Sequence, residues 1–513
     1  MKKRIKSLIS IGLLFSLLLT GCSSGGKTNT SSDDTSGTKV TEAASGPEAV
    51  LKDGKETELR VVFPGGSSSP KDLAAVEEQI NSIVSQYMDA KVKLNILEWG
   101  VFSDQQNLIL SSGEDVALMF TYSSSRTFAN NGQVMDITEL SNTYAPEAQK
   151  SFAKYLDACR IGGKLYGMPT FHEYTKSAGL IARTDILEKL SIDPASIKTW
   201  DDVEGVLQKV KQANPSMNLL APVEVSSGIL DYYNEGTFDK LADGVGVYVN
   251  SDDARVMNIY DTPEFKNLAQ VAYDWNKKGY FMSDAITVTD TRQELLAAGN
   301  TFGYIGQIHP GTATQEYKNS GVKVTTISVN DKALTTGNVN FAQYMVPTAC
   351  STPEKAVKLL ELMLTNKDLN NLLMYGVEGI DYVVKDAAKD IVGYPEGLDV
   401  SSVGWNNETW LAGNGSLSHV WESDPPTIWK DYLAFNDSAK VSPLYGFTYD
   451  SSNVKTEIAA ISNVIDKYEA VICAGFTDPD KSVKQMVDEL NSAGMQKIIE
   501  DAQKQVDSWR ASK

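Results

Sequence analysis

The chain has 513 residues and a formal net charge of −19, with 42% hydrophobic and 22% charged residues. This length and composition predict two or three globular domains. The acidic balance argues against binding to nucleic acid, which needs a basic face, and against docking to anionic lipid by charge.

The amino-terminal segment has the layout of a secretory signal. Basic residues lie at positions 2, 3, 4 and 6, and the apolar run from Ile9 to Leu19 is too short for a transmembrane helix. The run ends in Leu19-Thr20-Gly21-Cys22, which resembles the bacterial lipobox. The resemblance implies that residues 1–21 are a signal peptide and that Cys22 carries a diacylglyceryl anchor. A plain secreted protein and an uncleaved anchor are the alternatives.

A polar stretch separates this signal from the folded body. Residues 22–56 are rich in Ser, Thr, Gly, Asp and Lys, so they cannot bury enough apolar surface to offset chain entropy. A flexible linker of about 34 residues has a root-mean-square reach of roughly 30 Å. We therefore expect Cys22 and this linker to tether a globular body near the membrane.

The body opens with alternating strands and helices. The pattern predicts a helix over 71–88, followed by a second helical stretch, and strands over 58–63, 91–99 and 115–122. This order predicts a right-handed parallel sheet. In such sheets ligands bind beyond the carboxyl ends of the strands, which lie here at 64–69, 98–101 and 121–125.

A second alternating region follows residue 176. It predicts strands over 300–307 and 322–329, with an amphipathic helix over 265–279. The body therefore contains two α/β regions rather than one.

Five segments along the chain carry a family resemblance. They are GGKLYGMPT (162–170), AGLIARTDILEKLSID (178–193), Thr199-Trp200-Asp201-Asp202, LLMYGVEGIDY (372–382) and the tail that begins at GFTYD (446–450). In this order they resemble the family 1 extracellular solute-binding lipoproteins of ABC importers. The last two segments are similar to the LipO-like branch, which has a C-terminal domain of unassigned function.

The resemblance implies an α/β, two-lobed fold of the periplasmic-binding-protein-like type, with a hinge and a ligand cleft between the lobes. A ligand that touches both lobes favours the closed state, which the importer would recognise. The first crossing between lobes is expected near 171–177. The implied N-terminal lobe is 57–172 with about 335–385, and the C-terminal lobe is 173–334 with about 386–513, including the LipO-like region 440–513.

The implied ligand is an oligosaccharide. Aromatic rings stack on the C–H faces of sugars while a few polar groups fix the hydroxyls, and the chain has 8 Trp and 22 Tyr. Aromatic residues at predicted strand ends or in loops are the best candidates, and core packing is the alternative for each. Core packing is favoured for Trp275, which lies on a predicted helix among apolar neighbours. The candidate ligand-binding residues are Trp99, Tyr122, His172, Tyr233, Trp275, His309, Glu378, Trp405 and Trp421.

Motifs for other chemistries are absent or weak. There is no G-x-x-x-x-G-K-[ST] loop and no G-x-S-x-G, and the three His are dispersed, so no cofactor and no metal are predicted. Residues 478–489 match a calcium loop in part, but Val483 occupies the glycine position; a helix start near Asp478 is the simpler interpretation. Cys159, Cys350 and Cys473 are widely spaced, which favours buried free thiols.

The sequence is also compatible with other functions. A lipid-anchored glycoside hydrolase would need a carboxylate pair, such as Asp231 with Glu235 or Glu378 with Asp381. A peptide receptor and a surface adhesin are further alternatives. The charge of the ligand is open too, since Arg126 or Lys176 could offset the acidic chain. We expect a monomer on the extracellular face of a Gram-positive cell membrane, which delivers its ligand to the permease subunits of an ABC importer.

Overall fold

The computed structural model describes residues 46–223 and 228–513. The predicted signal peptide, Cys22 and most of the predicted linker lie outside these residues. The strands are β1 (Thr57–Gly65), β2 (Ala90–Glu98), β3 (Leu118–Tyr122), β4 (Arg160–Ile161), β5 (Lys164–Leu165), β6 (Gly167–Pro169), β7 (Thr175–Arg183), β8 (Asn218–Ala221), β9 (Phe238–Ala242), β10 (Val245–Tyr248), β11 (Met257–Asn258), β12 (Thr301–Ile308), β13 (Val324–Ser328), β14 (Ala333–Leu334), β15 (Ala342–Met345), β16 (Val383–Asp386), β17 (Ile391–Gly393), β18 (Val420–Trp421) and β19 (Lys440–Val441).

Helices connect and cover these strands. They are α1 (Pro47–Leu51), α2 (Leu73–Tyr87), α3 (Phe102–Ser112), α4 (Ser125–Asn130), α5 (Thr138–Tyr144), α6 (Pro146–Ser151), α7 (Thr184–Lys189), α8 (Trp200–Ala213), α9 (Pro263–Lys277), α10 (Arg292–Ala297), α11 (Thr312–Ser320), α12 (Thr336–Asn340), α13 (Pro353–Thr365), α14 (Lys367–Tyr375), α15 (Ile428–Asp437), α16 (Lys455–Cys473), α17 (Pro479–Ser492) and α18 (Met495–Ala511). None of the helices in the described ranges is both long enough and apolar enough to cross a membrane.

The first lobe is built on a five-stranded sheet with the order β2-β1-β3-β15-β6. Strand β1 pairs in parallel with β2 and with β3, which confirms the predicted parallel arrangement. Strand β15 runs antiparallel between β3 and β6, although it comes from much later in the chain. Helix α2 buries Val76, Ile80 and Val84, a stripe at four-residue spacing that packs on the sheet.

The second lobe is built on a six-stranded sheet with the order β19-β14-β7-β12-β8, in which β13 also pairs with β7. The predicted strands over 300–307 and 322–329 correspond to β12 and β13, and the helix over 265–279 corresponds to α9. A side chain at Gly179 in β7 would collide with the carbonyl oxygen of Ile327 in β13, so this close strand pairing requires glycine.

The C-terminal helices belong to the second lobe. Helices α16, α17 and α18 contribute Ile461, Met486 and Ile498 to the same hydrophobic core as β7 and α9. The side chain of Asp478 accepts a hydrogen bond from the backbone N–H of Lys481 at 3.0 Å and caps α17. This confirms a helix start rather than a calcium loop in that segment.

The chain crosses between the lobes three times. The first crossing lies between β6 and β7, the second between β14 and β15, and the third between α15 and β19. The expected return to the C-terminal lobe near residue 386 is wrong, because Trp405, Leu411 and Ala412 lie in the core of the first lobe. The first lobe therefore keeps the chain until about residue 437, and only the segment from β19 onward returns.

All three cysteines of the folded body are free and buried, as predicted: Cys159 and Cys350 in the first lobe, and Cys473 in the second. Burial raises the pKa of the Cys350 thiol to about 11, which keeps it protonated and unreactive near neutral pH.

Candidate ligand-binding cleft

A cavity of about 580 Å³ lies where the carboxyl ends of β2 and β3 meet the crossing segments. Trp99 follows β2 and Tyr122 ends β3, so the cavity occupies the predicted edge of the parallel sheet. The first two crossings supply its other wall. The lining residues are Trp99, Phe102, Ser103, Gln106, Tyr122, Ser124, His172, Glu173, Lys176, Asn338, Phe341 and Trp410.

Four aromatic side chains form one continuous wall of this cavity. The ring of Trp410 lies 5.6 Å from that of Trp99, 6.3 Å from that of Tyr122 and 6.1 Å from that of Phe341. Trp99 is 43% exposed and Tyr122 is 45% exposed, so both rings present free surface to the cavity. We call Trp99, Tyr122, Phe341 and Trp410 the aromatic platform.

A second cavity of about 250 Å³ adjoins the first on the side of the second lobe, and the two share Lys176 and Asn338. Together they form the cleft, which follows the crossing segments from one lobe to the other. The second cavity is more polar than the first. Its polar and charged lining residues include Asp231, Asn234, Glu235, Asp239, Lys240, Gln307, Thr335 and Glu469.

The three crossings are hydrogen-bonded to one another beside the cleft. The ring nitrogens of His172 lie 3.0 Å from the carbonyl oxygen of Thr170 and 3.1 Å from that of Asn338. The side chain of Asn436, at the third crossing, donates to the His172 carbonyl at 3.0 Å and accepts from the Tyr174 N–H at 2.9 Å. This group of bonds is the crossing node, and any change in the angle between lobes must take place around it.

Burial shapes the ionisation of two residues at the cleft. It lowers the pKa of His172, so the ring is neutral near pH 7 and can donate to only one of the two carbonyls at a time. Burial also raises the pKa of Asp239 to about 6, an effect opposed by the hydroxyl of Ser442, which donates to Asp239 at 2.5 Å. The part of the chain that the structure describes contains no group of three or more acidic, His or Cys side chains that could hold a metal ion.

The structure brings three of the sequence-predicted candidates together: Trp99, Tyr122 and His172 all line the first cavity. Three others are core residues instead. Trp275 is 2% exposed in the second lobe, and Tyr233 stacks on Trp200 with ring centres 4.4 Å apart. Trp405 is buried in the first lobe and donates its indole N–H to the Leu373 carbonyl at 3.0 Å.

The remaining three candidates lie outside both cavities. His309 follows β12 and is hydrogen-bonded to the Tyr432 hydroxyl at 3.2 Å. Glu378 is exposed on a turn after α14. Trp421, in β18, packs on Tyr375 and Tyr394.

Phe102, Phe341, Trp410, Glu173 and Asn338 line the cavity but were absent from the sequence-based candidate set. Phe102 follows Trp99 at three-residue spacing, which the start of a helix places on one face. Trp410 lies in the same irregular loop as Trp405, so its position in a loop could have marked it as a candidate too. Phe341 and Asn338 belong to the second crossing, whose position depends on how the two sheets pair.

A two-lobed α/β body, crossed three times by the chain, with an aromatic cleft at the crossings, defines the class of extracellular solute-binding proteins. The model of the bacterial extracellular solute-binding protein family matches residues 60–369, and a domain of unknown function (DUF3502) matches residues 443–511. The chain belongs to the bacterial extracellular solute-binding protein family. Its tail has the C-terminal domain that the resemblance implied.

Individual relatives agree with this family. The chain is 26% identical over 460 residues to a carbohydrate ABC transporter substrate-binding protein of Streptococcus pneumoniae serotype 4, covering 86% of this chain and 89% of the relative. It is 26% identical over 172 residues to an arabinooligosaccharide-binding protein of Bacillus subtilis, covering 32% and 38%.

A solved structure with a similar fold is the N-glycan transport solute binding protein (NgtS) of Streptococcus pneumoniae. It matches with a TM-score of 0.78 and 23% identity, over 88% of this chain and 98% of that one. The alginate-binding protein AlgQ2 matches with a TM-score of 0.57 and 15% identity, over 90% of this chain and 100% of that one. These matches confirm the two-lobed α/β fold.

Proposed function

We propose that the protein is the substrate-binding receptor of a carbohydrate ABC importer. It captures an oligosaccharide in the cleft, acts as a monomer and delivers the ligand to the permease without cleaving it. The observation that carries this proposal is the aromatic platform, whose exposed Trp99 and Tyr122 faces suit the C–H faces of sugar rings. The named carbohydrate relatives support it.

The proposed mechanism of capture is closure of the lobes around the ligand. A sugar chain stacked on the platform also reaches Lys176 and Asn338, which both cavities share, and the polar groups of the second lobe. A ligand that touches both lobes binds the closed arrangement more tightly than the open one, so it shifts the population toward closure. The crossing node then acts as the pivot.

Within this proposal each lining group has a specific role. Trp99 and Tyr122 stack on sugar rings, and Trp410 and Phe341 pack against them and complete the wall. Polar groups of the cavity, such as Glu173, hydrogen-bond the hydroxyls. His172 holds the crossings in register rather than contacting the ligand through a free nitrogen, since both its ring nitrogens face backbone carbonyls.

Calorimetric titration of the purified full-length protein tests the proposal. The ligands are manno-, cello-, galacto- and arabino-oligosaccharides of two to five units, with peptides of three to five residues as the second arm. We expect one saccharide class to bind with one-to-one stoichiometry and to be recovered intact by chromatography. Binding of peptides alone, or cleavage of a bound saccharide, would contradict the proposal.

The hydrolase alternative loses one of its two carboxylate pairs. Asp381 is 1% exposed and accepts backbone N–H groups of Val377 and Trp405, both at 2.9 Å. Neither Asp381 nor Glu378 lines the cleft. Only Asp231 and Glu235 of the weighed pairs reach the second cavity, so recovery of intact ligand decides this alternative.

We also propose that a lipid on Cys22 anchors the protein to the extracellular face of a Gram-positive cell membrane. The support is the lipobox-like segment, and the linker of residues 22–56 gives the body room to meet a permease. In a Gram-positive host, Cys22→Ala should abolish labelling by radioactive palmitate and move the protein from the membrane to the medium. A Cys159→Ala variant is the matched control. Continued labelling of Cys22→Ala would contradict the anchor.

A further inference from the structure

Acidic side chains outnumber basic side chains along the cleft. The carboxylates that line its two cavities are Glu173, Asp231, Glu235, Asp239 and Glu469, whereas the cations are Lys176 and Lys240. Four of the five carboxylates lie on the second lobe's side. Any ligand that spans the cleft must therefore come close to several negative charges at once.

Neutral donors hydrogen-bond three of the four carboxylates of the second cavity, namely Glu235, Asp239 and Glu469. Glu469 accepts from the Tyr260 hydroxyl at 2.8 Å, and Glu235 accepts from the Gln307 amide at 3.2 Å. Asp239 accepts from a serine hydroxyl, and no ion pair among the described residues includes Glu173, Glu235 or Glu469. Hydroxyl and amide donors leave the carboxylate charge in place, so these hydrogen bonds do not cancel the negative potential of Glu235, Asp239 and Glu469.

The residue best suited to bind an acidic sugar is missing from the cleft. Arginine binds carboxylates through a rigid two-pronged fork, and no arginine lines either cavity among the residues described there. Arg126, a candidate to offset the acidic charge, lies in a separate groove and donates to the Thr448 carbonyl. Of the two lysines, Lys176 lies 6.0 Å from the centre of the Phe341 ring, at the junction of the cavities.

We infer that the cleft selects oligosaccharides that carry no carboxylate or sulfate groups, an inference that rests on the proposed function. Ionised carboxylates only accept hydrogen bonds, and every sugar hydroxyl can donate one. The platform covers the apolar faces of the sugar rings, and the carboxylates of the second cavity accept hydrogen bonds from the sugar hydroxyls. The carboxylate of an acidic sugar would be repelled by the carboxylates of the cleft, and no arginine of the lining would be there to bind it.

The test compares one sugar skeleton in three forms, of which only one is charged. The best-binding neutral oligosaccharide is oxidised at its primary hydroxyls to the uronate, and a portion of the uronate is then methyl-esterified to remove the charge. Calorimetry with the full-length protein at low salt should show the uronate binding at least about 10-fold more weakly than the neutral parent. The methyl ester should recover most of that loss, and the gap should narrow at high salt because screening weakens the repulsion.

Substitution of the carboxylates tests the cause. Glu235→Gln combined with Glu469→Gln keeps the side-chain shapes and removes two charges, so the neutral-to-uronate affinity ratio should fall at least about threefold. Glu264→Gln is the matched control, because Glu264 also accepts from a tyrosine hydroxyl, that of Tyr248 at 2.6 Å, but lies outside the cleft. Thermal unfolding confirms that each variant is folded.

The outcomes separate this inference from the proposed function. Binding of the uronate as tightly as the neutral parent, or a ratio unchanged in the double variant, overturns the inference and leaves the receptor in place. Preference for galacturonate or alginate oligomers over every neutral saccharide would also overturn the inference and leave the receptor function in place. Failure of all saccharides, neutral and acidic, overturns the proposed function itself.

Discussion

The exposed ring of Trp99 offers the sharpest test of the aromatic platform, through the substitution Trp99→Ala. Trp99 is 43% exposed at the end of β2, so about 100 Å² of apolar surface is free for a ligand to cover. At roughly 25 cal/mol per Å², covering it contributes about 2.5 kcal/mol to binding. Its loss should weaken the affinity for the oligosaccharide by about 70-fold.

The same substitution should leave the fold intact. The Trp99 ring contacts Trp410 at 5.6 Å and Phe102 at 6.5 Å, and each such pair contributes on the order of 1 kcal/mol. The free energy of unfolding should therefore fall by about 1–2 kcal/mol, and the variant should remain folded at 25 °C. Because the variant stays folded, its weaker affinity would come from the missing ring and not from unfolding.

Calorimetry with the best saccharide measures the affinity, and urea unfolding measures the stability. Tyr317→Ala is the control, because Tyr317 is 48% exposed on α11 but lines neither cavity. We expect its affinity to match the wild type within twofold. An affinity of Trp99→Ala within threefold of the wild type would refute the stacking role of the platform.

Three further predictions concern buried side chains. Because burial raises the pKa of Asp239 to about 6 from 3.8, the native state retains a proton that the unfolded chain releases, and this group's contribution to stability is lost as pH rises from about 4 to about 6. In urea unfolding, the free energy of unfolding of Asp239→Asn should fall by up to about 3 kcal/mol less than that of the wild type across this pH range. An equal pH dependence of the two proteins would contradict this. Asn436→Ala leaves the His172 carbonyl and the Tyr174 N–H unpaired, which should lower the free energy of unfolding by about 2–4 kcal/mol; a change under about 0.5 kcal/mol would rule out the node. Trp275→Ala should cost about 3–5 kcal/mol of stability yet leave saccharide affinity within about twofold, whereas a tenfold weaker affinity in the folded variant would return Trp275 to the site.

The strands of the first lobe could be predicted because their signals are local. A β-branched apolar run defines β1, alternating apolar residues define β2, and apolar residues at four-residue spacing define α2 between them. The position of the cleft followed from the same pattern, since Trp99 and Tyr122 end their strands. The parallel order of β2, β1 and β3 needed only the general rule for strand-helix-strand units.

The third crossing could not be predicted because its cause is not local. The segment between α14 and α15 has short strands and turns without a helical or strand period. Its lobe is decided by Trp405 and Leu411, which enter the core beside Leu373 and Tyr344. Residue type alone does not reveal such a long-range contact.

The sequence likewise could not predict which aromatic side chains are exposed. Trp405 and Trp410 lie five residues apart in one loop, yet the first is buried and the second lines the cleft. Tyr233 also lies in a loop and is covered by Trp200. Position at the end of a parallel strand identified Trp99 and Tyr122, because such a strand end has a fixed place in the sheet, but His309 at the end of β12 lies outside both cavities.

Small-angle scattering of the full-length protein, with and without saturating oligosaccharide, tests the central claim most directly. Closure of two lobes around the crossing node should lower the radius of gyration on binding, and Trp99→Ala at the same ligand concentration should show a smaller decrease. An unchanged radius of gyration with calorimetrically confirmed binding would contradict capture by lobe closure.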